Sequence, residues 1–535
     1  MAGPSSTRSR RKVGWKTVKK IRIALSLSFL ALVSLTFLDP WHIIPKAVAI
    51  YLTSVEVVPG LLKVLVAGGT VATAGFAAIV LITMLFGRVY CSTVCPIGTI
   101  QDISIHFSKR FNRRKRFKYY RSPQWFQYLV LLTTVAGVLF AGSMFLGDLL
   151  EPFSNYGRLL TDLAVPPVVL VNNFLAGILT HFELYFLFGI PLRLAEIGTL
   201  LFTFVFLATV ICLSVSNGRL FCNSFCPAGA ILSVISRVSI FKLIIKNDLC
   251  NDCGACDRVC KAECINSDTK RIDFTACVSC FNCLYSCPTR AITYSRRLLR
   301  TPPIEAKPKP APEVLQSRRE LIRNVGIPAA ALLLAPGIFE GGAAFSSKQR
   351  TISPPGSLSV RRFTSTCTAC HLCVASCPTD VLRPSFLEYG IAGMSQPMMD
   401  YEAGYCNYDC VICGDICPAG AILKRTVDEK KRIQIGKAKF SKEDCIVVSK
   451  KKDCAACSEH CPTKAVHTVP YEGNLLVPEV DDEICIGCGA CEHVCPVIPK
   501  KAIRVEGNSY HLVAKKPKVQ EASKPKEATI SDFPF

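Results

Sequence analysis

Twenty-four of the 30 cysteines stand in six short groups whose spacing suits iron. The first two groups are Cys250, Cys253, Cys256, Cys260 and Cys277, Cys280, Cys283, Cys287, each C-x2-C-x2-C-x3-C. Three closely spaced thiolates wrap one face of a [4Fe–4S] cubane, and the fourth, three residues on, reaches across to a neighbouring cubane. Cys250, Cys253, Cys256 and Cys287 are therefore expected to hold one cluster, and Cys277, Cys280, Cys283 and Cys260 another. Zinc sites use two pairs of cysteines rather than triplets. Pro288 after Cys287 fixes φ and turns the chain away from the last ligand. Cys260 is followed by Lys261 instead, and Cys264 offers a second candidate; Cys260 keeps the spacing, so Cys264 reads as a spare thiol.

The other four groups are Cys367, Cys370, Cys373, Cys377; Cys406, Cys410, Cys413, Cys417; Cys445, Cys454, Cys457, Cys461; and Cys485, Cys488, Cys491, Cys495. Each ends in Cys-Pro. Six complete groups predict six [4Fe–4S] clusters. Cys367-Thr-Ala-Cys370-His371 also spells a haem c attachment motif. Cys373 and Cys377 complete the iron–sulfur spacing, which leaves His371 beside the ligands or at the surface.

Four more cysteines lie in an internal repeat. Gly87-Arg88-Val89-Tyr90-Cys91 through Cys95-Pro96-Ile97-Gly98 matches Gly218-Arg219-Leu220-Phe221-Cys222 through Cys226-Pro227-Ala228-Gly229. Both copies are G-R-x-[YF]-C-x3-C-P-x-G. Cys226-Pro-Ala-Gly-Ala-Ile231 recurs letter for letter as Cys417-Pro-Ala-Gly-Ala-Ile422, the tail of a cluster-binding group. Cys91, Cys95, Cys222 and Cys226 are thus candidates for a further metal or iron–sulfur centre, against a redox dithiol or a tight turn.

Apolar segments must position these groups. Uncharged or nearly uncharged runs cover Ile23 to Leu38, Leu61 to Phe86, Trp125 to Leu146 and Leu194 to Val215, and predict four membrane spans. Cys212, inside the last, is expected to be a buried small apolar residue. Residues 1–22 carry eight Lys or Arg and no acid, and the 87–124 loop carries nine Lys or Arg. The 39–60 and 148–192 loops carry one each. Basic loops belong in the cytoplasm. Val165 to Leu192, broken by Pro166, Pro167 and Pro191, reads as interfacial or re-entrant helices on the outer side. The net charge of +23 follows from these flanks and argues for a membrane rather than nucleic acid.

Five prolines fall between Arg300 and Ser317, and such a linker stays extended. Ser317-Arg318-Arg319, an apolar stretch to Phe339 and the small residues Gly341 to Ala344 then spell a twin-arginine export signal inside the chain. The expected architecture is an α-helical membrane bundle of four spans plus a signal-like anchor, joined to α+β ferredoxin-like modules. Its parts are a basic tail (1–22), the membrane domain (23–216), a cytoplasmic two-cluster module (217–299) and the linker (300–316). The signal (317–345), a four-cluster domain (346–514) and a disordered tail (515–535) follow.

The paired C-x3-C-P motifs, four spans and two-cluster module resemble the NapH-type membrane ferredoxins. The signal followed by four cysteine groups resembles the NapG/MauM-type polyferredoxins, so the chain looks like a fusion of the two. The resemblance implies an electron-transfer subunit of a quinol dehydrogenase in the bacterial inner membrane, with lipid, quinone or quinol, and a periplasmic reductase or cytochrome as partners. Nested pairing of the last four groups, first with fourth and second with third, is similar to the polyferredoxin subunits of molybdenum oxidoreductases; sequential pairing stays open. Asp148, Glu151, His181 and Glu183 are candidate proton acceptors for quinol. An assembly or maturation factor for a periplasmic metalloenzyme, and a membrane-bound redox sensor, are the alternatives. No nucleotide-binding motif or nucleophile constellation is present.

Overall fold

A computed structural model describes residues 6–39, 41, 43–111, 117, 119, 124–192, 194–296 and 351–516. The proline-rich linker and the Arg318-Arg319 segment lie outside the described residues.

The chain starts with α1 (Ser6–Phe37), then α2 (Lys46–Ser54) and α3 (Val57–Val66), which meet at a bend of 98°. α4 (Thr70–Phe86) follows. Leu61 to Phe86 is therefore not the single span expected. Gly68 and Gly69 hold φ of 65° and 113°, a region open to glycine and costly for other residues, and the chain reverses there. The first cysteine repeat folds into α5 (Tyr90–Thr93) and α6 (Pro96–Phe111). α7 (Gln124–Ala136), α8 (Phe145–Leu150), α9 (Pro152–Arg158), α10 (Val165–His181) and α11 (Ile197–Asn217) come next. The second repeat gives α12 (Leu220–Ser224) and α13 (Pro227–Ser236). Pro96 and Pro227 each open a helix, where a missing N–H costs nothing.

Among the described residues three helices are long and apolar enough to cross a membrane: Gly14–Phe37, Pro152–His181 and Ile197–Asn217. Treating the bent α2–α3 pair as one span makes four.

The cysteine groups fold as small units of short helices and two-stranded antiparallel sheets. In the first unit β1 (Phe241–Ile245) pairs with β4 (Ile292–Arg296), and β2 (Ile265–Asn266) with β3 (Arg271–Ile272). In residues 351–516, β5 (Leu382–Pro384) pairs with β6 (Pro397–Met399). There β7 (Ile433–Phe440) pairs with β10 (Ile503–Val513), and β8 (Val466–Pro470) with β9 (Leu476–Val480).

The two units cap opposite ends of the bundle. At one end the Ile240 amide donates to Met84 O (2.9 Å) after α4. Gln124 Nε2 at the start of α7 donates to Asp273 (2.8 Å), and the Arg219 amide after α11 to Lys261 O (2.9 Å). At the other end Lys63 Nζ donates to Cys417 O (2.9 Å) before α4, and Ser143 Oγ after α7 to Ala392 O (3.1 Å). Glu196 before α11 pairs with Arg383. α1 likewise starts against the 241–296 unit, with Trp15 5.9 Å from Phe281, and ends at Phe37, packed on Gly157 beside Cys370. Helices α1, α4, α7 and α11 thus each run from one unit to the other. The 152–192 segment leaves and returns at the same end. Gly157 abuts Cys370, and Asn172 and Asn173 in α10 bond back to Phe188 O (2.9 Å) and Ile190 O (2.7 Å) on the way to Glu196. One apolar core runs from Leu243 and Ile292 through the bundle to Cys370, Leu372 and Ile416.

Candidate iron-sulfur centres

Cys287 stands beside Cys256, and Cys260 stands with Cys277, Cys280 and Cys283. That is the crossed arrangement the spacing called for. Cys264 Sγ lies 3.5 Å from Cys260 Sγ and also contacts Cys277, so the spare thiol touches the same group. In the far domain a cavity is lined by Cys367, Cys370, Cys373 and Cys417, with Phe363, Ala421 and Ile422 around them. A second is lined by Cys445, Cys454, Cys457 and Cys495. Cys377 joins Cys406, Cys410 and Cys413, and Cys461 joins Cys485, Cys488 and Cys491. Pairing is therefore sequential, first group with second and third with fourth. The nested expectation is wrong because β5–β6 and β7–β10 fold the groups as two adjacent pairs rather than one nest.

The donor sets suit clusters. Each cavity offers four thiols and apolar walls. Burial pushes the Cys256 and Cys457 thiols up to about 11, so both keep their protons until a metal's positive charge displaces them. Among the described residues no three His, Cys, Asp or Glu side chains converge as tightly as a single ion needs. A lone zinc, at Zn–S of about 2.3 Å, draws its sulfurs close together; a four-iron cubane spaces them. His371 is not at the surface: it is fully buried, its Nε2 lies 2.8 Å from Ser395 O and its Nδ1 3.6 Å from Asp162 Oδ1.

Cys91, Cys95, Cys222 and Cys226 are all buried at the 241–296 end, and the duplication shows as crosswise bonding. Arg88, of the first copy, donates to Cys222 O (3.1 Å), and Arg219, of the second, donates to Cys91 O. Both guanidinium groups are buried. Gly98 and Gly229 allow this: a Cβ at Gly98 would strike Cys91 O and Arg219, and one at Gly229 would strike Cys222 O and Arg88. Cys222 Sγ lies 3.2 Å from Gln101 Oε1, and the Gly229 amide donates to Cys226 Sγ (3.3 Å). Below them Asp102 gathers Arg219 (2.8 Å), Lys261 (3.1 Å) and Arg22 (3.4 Å). Burial pushes the Asp102 carboxyl up, but these cations more than offset it and hold it well below the usual carboxylate range. Four thiols beside two fixed cations form a donor set that an iron–sulfur centre fits. Arg88 and Arg219 were legible as part of the repeat; Gln101 and Asp102 gave no signal of their own.

Cys212 is exposed on α11, not buried as expected, because its face of the helix meets no neighbour. Of the acid candidates, Asp148 and Glu151 are buried in the bundle, while His181 and Glu183 are exposed at the tip of the 152–192 hairpin.

A family described as a 4Fe-4S binding domain matches residues 69–114 and 199–246, the two C-x3-C-P repeats. A 4Fe-4S dicluster domain matches residues 450–498, which hold the fourth far group and the third group apart from Cys445. The methylamine utilization ferredoxin-type protein MauM of Methylorubrum extorquens is 32% identical over 37% of this chain and 91% of its own length. MauM of Methylobacillus flagellatus is 30% identical over 35% of this chain and 80% of its own. The chain belongs to the MauM ferredoxin-type family. The ferredoxin-type protein NapG of Escherichia coli K12 is a further relative of this MauM-type chain, 28% identical over 35% of it and 84% of NapG. No solved structure matches.

Proposed function

We propose that this protein relays electrons across the bacterial inner membrane, between the quinone pool and a periplasmic reductase or cytochrome. One observation carries the reading: two cysteine-rich units cap opposite ends of the same four helices, with four buried thiols between them. Six [4Fe–4S] clusters would be held by the six cysteine groups, and a further centre by Cys91, Cys95, Cys222 and Cys226. Such clusters supply one-electron steps. The chain's own residues bury the thiols, exclude water and set fixed charge beside them through Arg88 and Arg219.

The first half then acts as a NapH-type membrane ferredoxin fused to the MauM-type part, with α1, α4, α7 and α11 as the spans. The described parts of the basic 1–22 and 87–124 segments flank the 241–296 end, which supports placing that end in the cytoplasm. A twin-arginine route for residues after Arg318-Arg319 supports a periplasmic far domain. A cavity of ≈ 630 Å³ between α1, α6 and the 241–296 unit supports a quinone headgroup there: Ile23, Leu27 and Ile103 give apolar walls, and Lys19, Arg22 and Lys261 a polar end.

The test is reduction of the full-length protein in lipid vesicles by a menaquinol analogue. Bleaching of the visible iron–sulfur absorbance in both units is expected. Bleaching by dithionite but never by quinol would reject the quinone link.

A further inference from the structure

The cysteine sets of the far domain stand in a row. The set next to the bundle is Cys367, Cys370, Cys373 and Cys417: Gly157 of α9 abuts Cys370 O, and Lys63 of α3 donates to Cys417 O (2.9 Å). Exchange of Cys377 and Cys417 ties it to the Cys406, Cys410 and Cys413 set. The Cys406 amide donates to Cys488 O (2.9 Å), which brings up the Cys485, Cys488 and Cys491 set. Exchange of Cys461 and Cys495 leads on to Cys445, Cys454 and Cys457. That last set ends the row, farthest along it from the bundle.

Its surroundings carry charge that ligation does not need. Eight residues separate Cys445 from Cys454, where two separate Cys485 from Cys488. The added residues include Lys450, Lys451 and Lys452, all exposed. The Lys450 amide donates to Ile446 O (3.0 Å), and Ile446 lines the cavity beside Cys445 and Cys454. Cys495, Pro496 and Val497 line the same cavity. Directly after them Ile498 is 82% exposed. Lys500 pairs with Asp444, next to Cys445 (2.8 Å), and Lys501 donates to Cys495 O (2.5 Å). Residues 446–453 thus hold three lysines and one acid, Asp453, and residues 496–501 hold two lysines and no acid. Glu443 and Glu459, outside these segments, do not reverse the sign. A charged face speeds encounter with a partner of opposite charge, and complementary charge fixes its orientation.

We propose that this lysine-rich face docks the soluble partner of the relay proposed above, on which this inference rests, and that the partner is a one-electron redox protein with an acidic face. One electron passes between the Cys445, Cys454, Cys457 and Cys495 set and the partner's redox group. One side is oxidised as the other is reduced, no bond is made or broken, and no proton moves.

The test is stopped-flow mixing of the full chain in nanodiscs, reduced with dithionite and freed of the excess, with two c-type cytochromes of opposite surface charge. Haem absorbance reads the rate. The negatively charged cytochrome should be reduced faster, and its rate should fall by about tenfold or more from low to high salt. Lys450→Glu/Lys451→Glu should slow it by about tenfold with the iron content unchanged. Lys424→Glu/Arg425→Glu makes the same change of charge near the Cys417 end of the row and should leave the rate as it was. Equal rates with the two cytochromes, a rate indifferent to salt, or equal slowing by the two double variants overturns the proposal. The unaltered chain decides the matter even if a variant loses iron, through its charge preference and its salt dependence. Quinol takes no part here, so failure of the quinol test removes the quinone link and leaves this face standing.

Discussion

Cys417 ends its own group in sequence but closes another group's pocket in space. The spacing made each triplet legible as one face of a cubane, because three thiols on one short loop can hardly serve different clusters. In the far domain the partner of each fourth cysteine was not legible, since strand pairing far from the motif decides it. Cys417→Ser should therefore take the cluster from Cys367, Cys370 and Cys373 while the Cys406, Cys410, Cys413 and Cys377 set stays loaded. Iron should fall by about four atoms per chain. Mössbauer or paramagnetic resonance spectra that instead lose the signal of the Cys445, Cys454 and Cys457 cluster would restore nested pairing. His511 offers a pH test. Burial pushes its imidazole down to about 4, with Ser353 Oγ 3.0 Å from Nε2. The unfolded chain binds this proton near pH 6.5 or so, and the folded chain resists it until about 4. This stability is complete above about pH 6.5 and is lost on acidification toward pH 4, by roughly 3 kcal/mol. Melting of the far domain should flatten between these pH values in His511→Gln; an unchanged slope would mean that other groups carry the acid sensitivity.

The repeat hairpins hold each other at the scale of elements. α6 packs on α11, and α13 on α4, so each copy completes the other's helix pair. The charged bonds from Arg88 and Arg219 to carbonyls of the opposite copy are each worth about 1.5–3 kcal/mol. Gly98→Ala and Gly229→Ala would push a methyl group into those carbonyls and arginines. Overpacking of this kind costs about 1–3 kcal/mol, and in both variants the bound iron of the four-thiol site should fall while the far domain keeps its clusters. Equal loss at all sites would show general unfolding instead. The duplication was visible in the sequence at the C-x3-C-P motifs, where spacing is rigid. It was not visible ahead of those motifs, where the 152–192 hairpin has no counterpart before the first repeat. The break at Gly68-Gly69 was missed for a related reason: apolar residues continue on both sides, so hydropathy alone showed one long stretch.

At the scale of the molecule, the two units can face different compartments only if the chain between them crosses. Residues 297–350, which join the two units in sequence, lie outside the described residues, but their neighbours are placed. β4 ends at Arg296 against the α4 end of the bundle, through Tyr294 and Phe86 O (3.1 Å). The far domain resumes where Gly142, after α7, packs on Arg361. These points sit at opposite ends of α4 and α7. Helices of this kind rise about 1.5 Å per residue, so the passage is comparable to the apolar thickness of a bilayer. A reporter fused after Arg300 should therefore be active only in the cytoplasm, and one after Tyr510 only outside it. If Arg318-Arg319 open a twin-arginine signal, replacing both by lysine should hold the second reporter inside while leaving the first unchanged, because such a signal would govern passage of the far domain alone. Contacts such as Lys63 to Cys417 and Arg383 to Glu196 would then be lost, since the far domain could not reach its end of the bundle. Crosslinking a cysteine pair built at Glu196 and Arg383 reads this directly: the unaltered signal should give the crosslink, and the lysine variant should not. A crosslink in both, with both reporters cytoplasmic, would place the two units on one side and end the transmembrane reading.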